Sequence, residues 1–374
     1  MLKVYNISEL MENADRYNRI VCFGVGGYFE KTKSLLENTK IWKKICYVTD
    51  NDKGKQGTYI LFGEKKLRVM CLTEIMAVNF NDNDAVLVTP YFYTDILKQL
   101  ATYDAFRGMD IICMAHIFRM IRDEYYMNVS MPSNLRITQK PVIPKVIHYC
   151  WFGGGEIPDQ YKHCMESWHK FCPDYKIIKW NEDNYDVTKN KYMKDAYERR
   201  KWAFVPDYAR LDIVFNYGGI YLDTDVEVVQ NIDDLLYQKG FAGFETENFV
   251  ALGLGFGAVK NLPIIKKMRD MYEDIEFVLE DGSIDLTASP VWQTRLMKEY
   301  GLKTNGEYQM VGDMVIYPVK VLNGRGLTEH KNSGLYPKSI HHYELSSWQE
   351  KKYIDLMLEM DRDMETYYFS ENKE

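Results

Sequence analysis

Ala203-Phe-Val-Pro-Asp-Tyr-Ala-Arg-Leu-Asp-Ile-Val-Phe-Asn-Tyr-Gly-Gly-Ile-Tyr-Leu-Asp-Thr-Asp225 reads as a helix, a turn and a strand in succession. Pro206 suits the first helical turn, where its missing N–H is not needed. Leu211, Val214 and Phe215 supply an apolar face, and Gly218-Gly219 ends the helix and turns the chain. Ile220-Tyr221-Leu222 then reads as a buried strand, with Asp223-Thr224-Asp225 at its far end. Carboxylates at i and i+2 of an extended segment project from one side. Two such charges left unpaired at a buried strand end are costly. A hard divalent cation with oxygen ligands removes that cost, and a diphosphate can supply further oxygens to the same ion. An isolated Asp-x-Asp is often only a solvated turn, so its surroundings decide. Asp207 and Arg210, at i and i+3, share a helix face just ahead of the strand. The Arg210 fork suits oxygens and the Asp207 carboxylate can accept from sugar hydroxyls, whereas an exposed ion pair would contribute little.

Upstream, the strand Lys145–Cys150 ends in Trp151-Phe152-Gly153-Gly154-Gly155. An aromatic ring beside a bare glycine loop is a platform for a flat base, and equally a core residue. Downstream, Ser339-Ile340-His341-His342-Tyr343 precedes Ser346-Ser347-Trp348. Imidazole can complete a metal site, while a Ser hydroxyl and a Trp N–H can donate to phosphate. His163, Cys164, His169 and Cys172 invite a zinc reading, but Tyr161, Met165, Trp168 and Phe171 among them mark an amphipathic helix.

The N-terminal part alternates strand and helix. Strands at Arg19–Phe23, Lys44–Val48, Ala85–Thr89 and Asp110–Met114 are separated by helical stretches at Phe29–Asn38 and Thr94–Tyr103. That order implies a parallel, doubly wound sheet. Gly24-Val25-Gly26-Gly27 resembles half of a dinucleotide fingerprint, with Phe29 where a third small residue is expected and Asp50 placed to hold a ribose. The pattern breaks at Ile121, and Pro132, Pro141 and Pro144 mark a connection. The expected organisation is a Rossmann-like domain over 1–120, a linker over 121–143 and a second domain over 144–374.

Composition sets the bounds. With 374 residues, 46% hydrophobic and 27% charged, the chain suits two globular domains. A net charge of −7 argues against nucleic acid as a partner, yet a metal can bring its own charge to an anionic ligand. Seven cysteines without a Cys-x-x-Cys pair fit buried free thiols in a reducing compartment. No apolar run approaches the ~20 residues of a membrane span, and Met1–Tyr5 lacks a signal-peptide layout. A cytoplasmic protein, at most peripheral at the inner face of the membrane, is expected.

Taken in order, Ile143-Pro-Lys-Val-Ile-His148 with Trp151-Phe-Gly-Gly154, Ser167-Trp168, Pro173-Asp-Tyr175, Asp207-Tyr-Ala-Arg210, Gly218–Asp225 and the late His-His with Ser-Trp resemble glycosyltransferase family thirty-two. This is the sugar-transferase group with an Asp-x-Asp region, more distantly similar to the glucosylating clostridial toxins. The resemblance implies an α/β protein with a nucleotide-diphosphosugar transferase (GT-A) domain behind the Rossmann-like one. It implies Mn²⁺ or Mg²⁺ as cofactor and retention of anomeric configuration. Asp223 and Asp225 would serve the metal, with His342 as the further ligand and His341 the alternative. Asp207 and Arg210 would hold ribose or donor sugar, Trp151 would stack on the base, and Ser347 and Trp348 would touch the β-phosphate. The expected reaction moves a hexose or N-acetylhexosamine from a nucleotide sugar, UDP favoured, to a glycan or lipid-linked acceptor in bacterial surface-polysaccharide (capsular) synthesis. Two rivals remain at this point: an oxidoreductase or epimerase acting through Gly24–Gly27, and a non-catalytic glycan- or nucleotide-binding module. The segment between Phe244 and Pro290, free of motifs, is expected to shape the choice of sugar and acceptor.

Overall fold

The computed structural model describes residues 2–62, 65–324 and 337–343. Two compact units are present, the first running to Glu124 and the second beginning at Tyr125.

The first unit holds a seven-stranded sheet. In spatial order its strands are Leu2–Lys3, Asp110–Cys113, Ala85–Val88, Ile20–Phe23, Ile45–Thr49, Lys65–Met70 and Tyr59–Phe62, all pairs parallel except the last. Alternation sends Ile20, Cys22, Ala85 and Leu87 to one apolar layer and Val21, Phe23, Val86 and Val88 to the other. Helix Gly27–Leu36 covers the first layer with Phe29 and Leu36, and helix Thr94–Ala101 covers the second with Leu100. This is the doubly wound arrangement read from the sequence, Rossmann-like in form. The antiparallel pair Tyr59–Phe62/Lys65–Met70 is an addition to the sequence reading: Lys65, Lys66 and Arg68 hide the period of one strand, and the other, at the sheet edge, is largely exposed.

Two details explain the incomplete glycine fingerprint. Phe29 is buried against Trp42 and Phe62, so a core ring stands where a ligand-binding turn needs a small residue. Asp50 is already engaged: its Oδ2 accepts from the Val25 N–H at 2.8 Å and Lys55 Nζ at 3.2 Å, and its Oδ1 from the Asp52 N–H at 2.8 Å. Met114–Asn128 is one continuous helix, running through the boundary expected at 120. Ile117, Phe118 and Ile121 explain it, because their helical spacing places them against the first unit's core.

The second unit is built on a mixed sheet. Its path is Gln309–Val311, Met314–Tyr317, Gly240–Thr246, Phe256–Ala258, Gly219–Tyr221, Val146–Cys150 and Lys176–Trp180, with Phe249–Ala251 paired to Gly240–Thr246. Gly219–Tyr221, Val146–Cys150 and Lys176–Trp180 run parallel, whereas Phe256–Ala258 runs antiparallel to Gly219–Tyr221. Val226–Val228 pairs antiparallel with Ser339–His341 as a separate two-stranded ribbon.

The motifs quoted above are the joints of this architecture. Helix Val205–Tyr217 carries Pro206 in its first turn and ends at Gly218, φ +68°. Gly219 has φ +106°, and a Cβ there would lie 2.8 Å from the Val146 carbonyl oxygen, so only glycine permits this approach. His148 is the latch: its Nδ1 accepts from the Trp180 N–H at 3.1 Å, which leaves Nε2–H to donate to the Gly218 carbonyl at 2.8 Å. Burial lowers the pKa of His148, in keeping with this neutral role. Helix Asp159–Phe171 is pinned to the ribbon by Ser167-Trp168. The buried indole N–H of Trp168 donates to the Val226 carbonyl at 2.8 Å, and Ser167 Oγ accepts from the Val228 N–H at 2.9 Å. On that helix His163 and His169 are exposed while Cys164 is buried, so these side chains diverge. All seven cysteines are free.

Candidate active site

The site forms where the strand Gly219–Tyr221 runs out. Leu222 still donates its N–H to the His148 carbonyl at 3.1 Å, and Asp223 donates to the Gly253 carbonyl at 3.4 Å. A turn, closed by the Val226 N–H on the Asp223 carbonyl at 3.1 Å, then leads into Val226–Val228. Asp223 and Asp225 flank that turn. Opposite them Ser339–His341 brings in His341, and one ligand atom from each of Asp223, Asp225 and His341 lies within 4.8 Å of the others.

The surrounding contacts set the charge balance. His341 Nε2 lies 3.2 Å from Asp225 Oδ1. Burial would raise the Asp225 carboxyl, yet His341 beside it holds it below its ordinary value. Burial would lower the His341 pKa, and Asp225 reverses that. Asp223 is raised by burial, with Arg210 opposing and Asp225 adding to it; its Oδ1 accepts from the Tyr221 hydroxyl at 3.0 Å. Arg210 donates to Asp207 Oδ1 at 2.9 Å and to the Pro206 carbonyl at 3.2 Å, and its Nη1 lies 3.5 Å from Asp223 Oδ2. Its guanidinium lies 5.2 Å from the centre of the Tyr221 ring. Asp207 is 3% exposed, and burial pushes its carboxyl up to about 6 against the pull of Arg210. Helix Val205–Tyr217 buries Asp207 and Arg210 beside Val205, Ala209, Leu211, Ile213 and Val214, and Asp212 on the same helix is a further buried charge.

Two carboxylates and an imidazole form a donor set suited to Mg²⁺ or Mn²⁺. A buried Nδ1 on His341 with no hydrogen-bond partner among the described residues is consistent with a ring awaiting a further contact. The residues present therefore fit a divalent ion. Of the two late histidines, the structure brings His341 to the aspartates and places His342 against Glu227, Nε2 to Oε2 3.0 Å. Neighbouring residues of an extended segment face opposite ways, so only one of the two can reach the pair.

Trp151 is half-buried, its indole N–H donating to the Gly155 carbonyl at 2.7 Å and its ring 6.0 Å from that of Tyr161. Ser347 and Trp348 lie outside the described residues.

Several contributors carried no signal in the sequence. Gly253 is one: a Cβ there would lie 2.4 Å from Asp223 Oδ2 and 3.1 Å from Arg210 Nη1. Glu245 sits at a register shift in its strand, between Phe244 and Thr246. Burial raises its carboxyl, opposed by His341 and by a hydrogen bond from Tyr343. Tyr343, at φ +56°, packs edge-on to His341 with ring centres 4.1 Å apart. Tyr192 reaches Asp207 Oδ2 at 3.4 Å. Tyr221, inside the quoted motif, gave no hint that its hydroxyl would turn back to Asp223.

Comparison with known proteins agrees with this geometry. Residues 158–242 match the family model described as a glycosyltransferase sugar-binding region containing a DXD motif. The chain is 31% identical over 128 residues to inositol phosphoceramide mannosyltransferase 2 of Schizosaccharomyces pombe, covering 31% of this chain and 34% of the relative. It is 32% identical over 104 residues to mannosyl phosphorylinositol ceramide synthase SUR1 of Saccharomyces cerevisiae, covering 27% of each. The chain thus spans about a third of the length of the curated relatives it matches. A solved structure, the PaToxG glycosyltransferase, overlaps 49% of this chain and 76% of its own at 17% identity and a TM-score of 0.33, too loose to bear on the site. Residues 158–242 are thus similar to a glycosyltransferase sugar-binding region, and the Asp-x-Asp motif of that region falls at Asp223 and Asp225. Among the described residues no helix is long and apolar enough to cross a membrane.

Proposed function

We propose that the chain transfers a hexosyl group from a nucleoside-diphosphate sugar to a hydroxyl of a glycan or lipid-borne acceptor, with a divalent ion, Mn²⁺ or Mg²⁺, as cofactor. The observation that carries this reading is the convergence of Asp223, Asp225 and His341 within 4.8 Å, with Arg210 and Asp207 against them. Asp223, Asp225 and His341 would hold the ion, which when bound neutralises charge developing on the departing diphosphate. Arg210, held between Asp207 and Asp223, offers fixed donors to sugar or phosphate oxygens. Asp207 supplies an acceptor for a sugar hydroxyl. Trp151, at the end of Val146–Cys150, is the surface for the base. Mannose as the hexose, and an inositol-bearing lipid as one acceptor type, are suggested by the names of the fungal relatives. The donor chemistry belongs to the second unit, because all of these residues lie in it.

Donor hydrolysis tests the reading. UDP- and GDP-hexoses incubated with the full chain and MnCl₂ should release nucleoside diphosphate, and EDTA should abolish release. Asp223→Asn or Asp225→Asn should lower kcat at least ~10²-fold, the scale of losing one preorganised charge-stabilising contact. Undiminished turnover in excess chelator would overturn the proposal.

A further inference from the structure

Asp207 and Arg210 do not stand alone in their apolar surroundings. The Ser289 hydroxyl, at the start of helix Ser289–Glu299, is hydrogen-bonded to the Asp207 carboxylate. Four residues on, Gln293 accepts the Leu252 N–H on its Oε1 at 3.0 Å. This fixes the orientation of its amide next to Gly253, the residue against which Asp223 and Arg210 pack. Tyr272, on the segment before this helix, acts electrostatically on both Asp207 and Arg210. Its ring is held edge-on to Tyr192 with centres 4.9 Å apart, and its carbonyl accepts from Asn190 Nδ2 at 3.0 Å.

Two of these groups are incomplete. Tyr272 and Gln293 are 0% exposed, yet Tyr272 Oη and Gln293 Nε2 have no hydrogen-bond partner among the described residues. A buried donor without a partner is a cost that native interiors rarely retain. Here Tyr272 lies within electrostatic reach of Asp207 and Arg210, and Gln293 is tied to the residue before Gly253, against which Arg210 and Asp223 pack. Convergent, preorganised donors and acceptors in apolar walls are what recognises a polyhydroxylated ring.

We propose that Tyr272 and Gln293 are specificity-determining residues that bind hydroxyls of the hexosyl group of the donor. The inference rests on the donor reading above and extends it to residues that no motif marks. It assigns the role of choosing the sugar to part of the stretch between Phe244 and Pro290, and to Gln293 just beyond it.

The test separates sugar from nucleotide. Calorimetry in MnCl₂ would compare UDP with UDP-glucose and GDP with GDP-mannose on the full chain. Tyr272→Phe removes only the hydroxyl, and Gln293→Glu keeps the oxygen that Leu252 needs while deleting the N–H donors. Tyr272→Phe should retain at least wild-type thermal stability, since the hydroxyl it loses has no partner. Both variants should bind the bare nucleotide as wild type does. Each should weaken sugar-nucleotide binding about 2- to 12-fold, the range for one lost hydrogen bond. Folded variants that bind the sugar nucleotide as tightly as wild type would overturn the inference. A wild-type chain that binds no nucleotide at all would instead remove the donor reading, and this inference with it.

Discussion

His341 Nε2 lies 3.2 Å from Asp225 Oδ1, across an antiparallel ribbon in which His341 stands opposite Val226. The contact joins a late strand to the Asp-x-Asp turn, and the backbone N–H of His342 adds a bond of 3.0 Å to the Asp225 carbonyl. His341→Ala should therefore weaken Mn²⁺ binding at least ~10-fold, as even the outer partners of metal ligands cost 10- to 100-fold. His342→Ala, which removes the side chain set against Glu227 rather than one of the three clustered groups, should weaken Mn²⁺ binding less than His341→Ala does. Titration of Mn²⁺ followed by electron paramagnetic resonance reads both. The reverse ranking would assign the ligand to His342, as the sequence resemblance first implied.

Gly253→Ala tests how closely the Asp223–Arg210 pair is held. The new Cβ would come within 2.4 Å of Asp223 Oδ2, so the carboxylate must shift. A displacement of about 1 Å at a reacting centre can cost ~10² in rate. Turnover should fall by that order while the far-UV circular dichroism spectrum stays native. Wild-type kcat would show that Asp223 has room to move.

Trp151→Ala tests the base platform. Base–aromatic stacking is worth roughly 1–3 kcal/mol, so donor affinity should fall about 5- to 150-fold with the fold retained. The contact of Trp151 with Tyr161 supplies the competing role. Unchanged donor affinity with a lowered melting temperature would make the ring a packing residue.

Asp207 should leave a signature in the pH dependence of stability without metal or donor. Burial raises its carboxyl to about 6, from 3.8 in the unfolded chain. The native state then holds a proton that the unfolded state has lost. This contribution to stability is complete below about pH 4 and is lost as pH rises through 6. Its slope approaches about −1.4 kcal/mol per pH unit in that window. Urea unfolding between pH 4 and 6 should show a shallower decline in Asp207→Asn than in wild type. Equal slopes would show that Asp207 stays ionised in the native site.

Local chemistry made much of this protein readable from its residues. Pro206 and the pair Gly218-Gly219 set the ends of one helix because proline and glycine restrict or free the backbone wherever they stand. Unbroken apolar runs at Ile20–Phe23 and Ala85–Val88, separated by helical stretches, announced a parallel sheet, whose two faces are both covered. The i,i+3 spacing of Asp207 and Arg210 placed them on one helix face, since that period is fixed by the backbone, whereas Asp223 and Asp225, read as i and i+2 of an extended segment, flank a turn instead. Where charge hid the period, at Lys65–Met70, the reading missed a strand. Where helix Met114–Asn128 runs on past Ile121, the reading saw only a break in the pattern.

Non-local contacts were decided by the tertiary structure alone. Whether His341 or His342 faces Asp225 depends on the register of two strands distant in sequence, and that register follows from packing rather than from either histidine. Gly253 earns its place only because the turn over Leu252–Leu254 passes within contact of Asp223 and Arg210. Tyr272 and the helix that bears Ser289 and Gln293 carry no motif because they reach the site from parts of the chain far from Asp207 and Asp223. Sequence spacing encodes direction along one element; which elements come together is set by the burial of apolar faces, and the unmet polar groups become visible only once those faces are closed.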